Sequence, residues 1–172
     1  MTAVIDTAPS ALAYTEPSPV ALAYAEQFAI QAGRLIATLE ATPDDQLNWR
    51  PAPAAKSALQ IAAHCAVANR YFIDVISGRP MASSPGEAQA AAERQAQELT
   101  NRGDVLALLQ ETHKTLLDLY SCSSIETALS DEKRAFYVAI PFWHTATHAG
   151  QIDYLQTCWG DLEDHFQPLS AA

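Results

Sequence analysis

The sequence predicts an all-α protein, a four-helix bundle, on three observations. Apolar residues recur at helical spacing in four segments, helix start and stop signals bracket those segments, and no strand-like stretch has a partner strand. The 172 residues are enough for one domain with a sizeable core, since 49% of them are hydrophobic.

Residues 1–17, rich in Ala, Thr and Pro, read as a flexible N-terminal arm. Ser18 followed by Pro19 is a helix start: the hydroxyl can cap the free amides, and proline at the first helical position loses no intrahelical bond. Tyr24, Phe28, Leu35 and Leu39 then mark one face of the first helix, which should stop before Pro43. Residues 43–56 carry three prolines and read as a loop, with Trp49 packing it onto the body.

Ser57-Ala58-Leu59-Gln60 is a capping box, in which Ser57 caps the chain and Gln60 reaches back to the Ser57 amide. The second helix continues through His64, Val67, Tyr71 and Val75 to a strong stop at Gly78-Arg79-Pro80. After the loop 79–86, an Ala- and Gln-rich segment, 87–99, has helical propensity but little to bury, which predicts a small peripheral helix. Asn101-Arg102-Gly103 breaks it. Val105, Leu108, Leu109, Leu116, Leu117 and Tyr120 form the stripe of the third main helix, closed by residues 121–124.

Residues 125–139 are ambiguous, because AFYVAI (135–140) has strand propensity without a partner strand. Pro141 reads as a helix start, giving a fourth helix from Phe142 to Trp159 with Gly160 as its stop. The bundle domain therefore spans 18–160, followed by a polar tail, 161–172. The link between the second and third helices is about 25 residues, long enough to permit a crossover.

The charge balance excludes whole classes of function. A net charge of −10 repels nucleic-acid backbones and offers no basic patch to anionic lipid. No apolar run reaches the roughly 18 residues of a membrane span. MTAVIDTAPSALAYTEP lacks the basic start of a signal peptide. Cys65, Cys122 and Cys158 are odd in number and form no CxxC pair. They read as small buried apolar residues in a reducing, cytoplasmic setting.

The histidines carry the chemical information. His144 and His148 lie four apart in PFWHTATHAGQIDYL, on one helical face, in line with Ile152, Leu155 and Trp159. His64 follows the apolar stripe of the second helix. A buried neutral imidazole needs partners for both a donor and an acceptor. A metal ion satisfies this for several rings at once, since each ring gives its lone pair to the ion and its N–H to a neighbour. Two alternatives stay open: satisfied core histidines, and rings bonded to Gln60 or Gln151. His113 and His165 read as solvated surface residues. Asp74 lies nearly three turns beyond His64, and Asp153 points away from the stripe, so neither is placed as a base. HExxH, paired ExxH, GxSxG, P-loop and GxGxxG patterns are all absent.

SALQIAAHCAVANRYF, with the later PFWHTATHAGQIDYL and the preceding QLNWRPAPAAKS, resembles the DinB/YfiT-like superfamily of metal-binding bundles over roughly residues 20–160. The resemblance implies an up-down-down-up bundle, with the long link between helices 2 and 3. It implies His64, His144 and His148 as ligands of a divalent metal, zinc or nickel first, with iron or manganese in some members. Gly150 and Gln151 match the motif's GQ, and Ala149 stands where many members carry Arg. Frequent homodimers are implied, as is a low-molecular-weight thiol activated to attack a small electrophile. A metal-dependent hydrolase, or a non-catalytic metal-binding, stress-related bundle, is the alternative function. Tyr71 and Gln151 are candidates to line the site.

Overall fold

The computed structural model describes residues 16–80 and 84–166. The greater part of the expected arm (residues 1–15), residues 81–83 of the third loop and residues 167–172 of the tail lie outside the described residues. Six helices and no strand are present among the described residues: α1 (Pro19–Ala41), α2 (Ala58–Ile76), α3 (Pro85–Glu98), α4 (Arg102–Tyr120), α5 (Ser124–Ser130) and α6 (Glu132–Cys158). None is long and apolar enough to cross a membrane.

The start signals act as the sequence suggests. Ser18 accepts from the Ala21 amide, and Ser57 and Gln60 close a complete capping box on α2. A second box, Ser84 with Glu87, opens α3. Asn101 is the cap of α4 rather than part of a break, accepting from the Asp104 amide. The two glycine stops take left-handed φ, 70° at Gly78 and 93° at Gly160, where a side chain would be strained.

The ambiguous stretch corrects the expectation. AFYVAI is helical, and α6 starts at Glu132, not after Pro141. The Asp131 carboxylate caps it, accepting from the Lys133 and Arg134 amides at 3.0 and 3.1 Å. Pro141 therefore sits inside the helix. It removes the N–H that would reach the Tyr137 carbonyl, but its ring is buried in the core. With no sheet to join, Tyr137, Val138 and Ile140 of this stretch pack on the helical core instead, Val138 fully buried, while Phe136 is exposed.

The four long helices pack as α1 against α6 and α4, and α2 against α6 and α4. Arg34 on α1 is ion-paired to Asp153 on α6, and Gln156 Nε2 donates to the Thr38 carbonyl one turn further on. Tyr71 meets Tyr137 at 3.3 Å, and Arg134 donates to the Ile76 carbonyl at the end of α2. Phe28 packs on His113, Arg102 donates to the Thr42 carbonyl, and Asn69 donates to Thr112 at 3.3 Å. Arg102 and Arg134 thus place cations where α1 and α2 expose unpaired carbonyls, which also favours the helix dipoles.

One core cluster centres on Leu35, Leu39, Leu59, Leu109 and Ile152, and another on Phe28, Phe72, Leu116, Tyr120 and Val138. Each large side chain buried there stabilises the fold by roughly 1.5–3 kcal/mol against exposure. Trp49 packs edge-on against Trp159 at 5.6 Å, which secures the Pro-rich loop. Of the cysteines only Cys65 is buried; Cys122 and Cys158 are exposed because each lies where a helix ends, away from the packed faces.

Candidate metal centre

α2 and α6 bring His64, His144 and His148 together. One ring nitrogen from each lies within 4.8 Å of the others. The spacing follows from the sequence: His144 and His148 are one turn apart on α6, their ring centroids 4.4 Å from each other. His64 reaches them from α2, with centroid separations of 5.1 and 5.0 Å. His64 Nε2 and His144 Nε2 stand 3.1 Å apart.

That geometry fits a cation. A tetrahedral zinc site with Zn–N bonds of about 2.0–2.1 Å places its nitrogens roughly 3.3 Å from one another. His148 Nδ1 is 2.7 Å from Gln151 Oε1, so a proton on Nδ1 donates to the amide oxygen and the Nε2 lone pair is left free. Nδ1 of His64 and of His144 are buried without a hydrogen-bond partner. Rings so oriented need a shared acceptor of lone pairs more than they need each other.

All three are held neutral. Burial pushes His64 down to about 4, helped by the nearby Lys56 cation and by His148. Burial and the other two rings push His144 down to about 3. His148 is lowered as well, chiefly by burial, while its bond to Gln151 works the other way. Neutral imidazoles need lose no proton to accept a metal at neutral pH.

The histidines line a cavity of about 440 Å³, walled by Ala68, Tyr71, Phe72, Ala88, Gln89 and Ala92. Tyr71 borders it, and its contact with Tyr137, together with burial, pushes its phenol up to about 12. Gln151 lies outside this cavity, on a cleft that it shares with His148, Lys56 and Tyr154. Gln60 takes no part, being committed to the α2 cap.

Several expectations need correction. His113 is not a surface residue: it is 5% exposed, edge-on to Phe28 at 5.4 Å, with neither ring nitrogen hydrogen-bonded. Its neighbours Glu111 and Lys114 suggested solvent, but it faces α1. His165 is half-buried and paired with Asp161 at 2.8 Å. Asp153 does point away, toward Arg34 and Thr38, and Asp74 pairs with Arg79.

A carboxylate does stand beside the histidines. Glu93 Oε1 on α3 lies 3.4 Å from His64 Nδ1, an ion-pair distance outside hydrogen-bond geometry. Lys56 holds both Glu93 oxygens, at 2.9 and 3.1 Å. The sequence held part of the signal for it, a face on which α3 can dock, but not what that face docks on. Ala88, Ala92 and Ala96 form a small-residue stripe at four-residue spacing, which identifies the docked face of α3 with Glu93 at its edge.

The family model of the DinB superfamily matches residues 27–152, well over half of the chain. No curated protein and no solved structure matches.

Proposed function

The chain belongs to the DinB superfamily, and on that premise we propose that it binds one divalent metal ion through His64, His144 and His148 and works as a metal-dependent thiol S-transferase. The observation that carries the reading is the convergence of three neutral ring nitrogens from two helices within 4.8 Å. The all-imidazole donor set suits zinc or nickel ahead of iron or manganese. Three protein ligands leave a position open, as in catalytic rather than structural zinc sites. When bound, the ion would supply Lewis acidity, which lowers the pKa of a thiol brought beside it.

The chain's own residues would do the rest. Gln151 orients His148. Phe72, edge-on to His144 at 5.3 Å, and the alanines of α3 shield the rings from water. None of the residues lining the cavity is Asp, Glu, Lys or Arg. Away from the ion the walls offer a charged group no partner, so the cavity suits an electrophile that carries no charge on the parts facing them. The Tyr71 phenol, protonated at neutral pH, can donate to a polar atom of that molecule.

We also read the long helices as an up-down-down-up bundle. Contact partners on α1 and α6 advance in step (34 with 153, 38 with 156), whereas those on α2 and α6 run in opposite order (71 with 137, 76 with 134). A homodimer belongs to the same reading, supported by Phe136 and Trp143, which are 65% and 62% exposed two turns apart on α6.

The test is metal analysis of the full chain after zinc loading and dialysis. The expected result is one ion per chain, lost in His64→Ala, His144→Ala and His148→Ala. Conjugation of a small thiol to a reactive chloroarene should then require the loaded protein. Ester or amide turnover without thiol would replace the transferase with a hydrolase. Stoichiometric metal with no turnover would leave a metal-binding bundle.

A further inference from the structure

Resting on the three-histidine reading above, we propose that Glu93 is a positioning residue for the metal: its carboxylate accepts the Nδ1 proton of His64 and so holds that ring with its Nε2 lone pair turned to the ion.

Two observations point the same way. His64 Nδ1 is buried and lacks a hydrogen-bond partner, and Glu93 Oε1 stands 3.4 Å from it, outside hydrogen-bond geometry but close enough for a small turn of either side chain to close the bond. A ring that presents Nε2 to a cation must carry its proton on Nδ1, and that proton needs an acceptor. His148 has one already, Gln151 Oε1 at 2.7 Å. Glu93 gives His64 the stronger, ionised version of the same arrangement.

Glu93 is neither a ligand nor a base in this arrangement. It is not part of the cluster of converging donor atoms. It approaches His64 at Nδ1, whereas Nε2 is the atom that faces His144. Its remaining interactions are those of a clamp: Lys56 Nζ bonds both oxygens and keeps the carboxylate ionised and in place. Lys56 sits just before the α2 cap Ser57, and Glu93 follows the cavity-lining Ala92. The clamp therefore ties the entry to α2 to the helix that roofs the cavity. α3 has a task under this proposal that its polar surface does not advertise.

The experiment is competition titration of the apo full-length chain with zinc against a chromophoric chelator. Wild type, His64→Ala, Glu93→Gln, Glu93→Asp and Glu98→Gln are compared. Glu98 is an exposed carboxylate on the same helix, so its variant makes the same change of charge away from the histidines. Loss of a partner of this kind weakens metal affinity by about 10–100-fold. Glu93→Gln, which keeps a neutral acceptor, should fall near the lower bound, with Glu93→Asp also weakened and Glu98→Gln unchanged. In histidine-labelled zinc protein, the His64 Nδ1 proton should resonate downfield, move upfield in Glu93→Gln and stay in place in Glu98→Gln. If His64→Ala loses zinc but both Glu93 variants bind like wild type, or the proton does not move, the role of Glu93 is overturned while the metal site stands. If wild type binds no zinc, or His64→Ala binds it normally, the three-histidine reading itself is overturned, and Glu93 with it.

Discussion

Burial, ahead of any charged neighbour, sets the protonation of the inward histidines. His113 is the plainest case, since desolvation alone pushes it down to about 4 from 6.5. The folded protein keeps it neutral where the unfolded chain would take up a proton. Its folded value is the lower one, so its contribution is complete above about pH 6.5 and is lost as pH falls toward 4. Between pH 7 and 4.5 the loss amounts to roughly 2–3 kcal/mol. His113→Phe keeps a ring against Phe28 and removes the proton site, so its stability should fall by about that much less over the same interval, measured by urea unfolding at the two pH values. His64, His144 and His148 keep their own acid dependence in this variant. An equal loss in variant and wild type would show that His113 is not held neutral. The sequence did not expose this residue because its immediate neighbours are polar; only its place opposite Phe28 on another helix makes it a core ring.

At the scale of elements, the helix caps divide by what the helix is packed against. Ser57 is buried at the head of α2, whose inward face joins both core clusters. Ser57→Ala should therefore lower global stability by about 1 kcal/mol, read from the denaturant midpoint. Ser84 caps α3, an edge helix in which Ala96 is the one buried residue among those described. Ser84→Ala should leave the midpoint nearly unchanged and instead speed amide exchange within 85–98, because α3 opens without the rest. Exchange at the wild-type rate would mean that docking, not the cap, holds α3. Both caps are local chemistry, and Ser57 was legible from four consecutive residues. The start of α6 was not, because Pro141 looked like a beginning. Asp131, ten residues earlier, supplies the better one.

On the scale of the whole molecule, the three histidines bring together two helices, with His64 and His144 80 residues apart in sequence. A cation held there would bind the folded chain and not the unfolded one. Zinc at 100 times its dissociation constant should then add about 2.7 kcal/mol of stability. For a chain of this size that is an upward shift of the melting temperature by roughly 5–10 °C. The shift should be reversed by a chelator and absent in His144→Ala, as followed by circular dichroism. The same helix pairing separates what could be read in advance from what could not. Periodicity, caps and glycine stops are properties of neighbouring residues, so the helical class, most helix limits and the inward aim of His64, His144 and His148 could be read from the sequence by itself. Which helices lie side by side is a matter of packing between distant segments, and local pattern does not encode it. For that reason only the tertiary structure could bring the rings within 4.8 Å, bury His113 against α1 and set Glu93 beside His64.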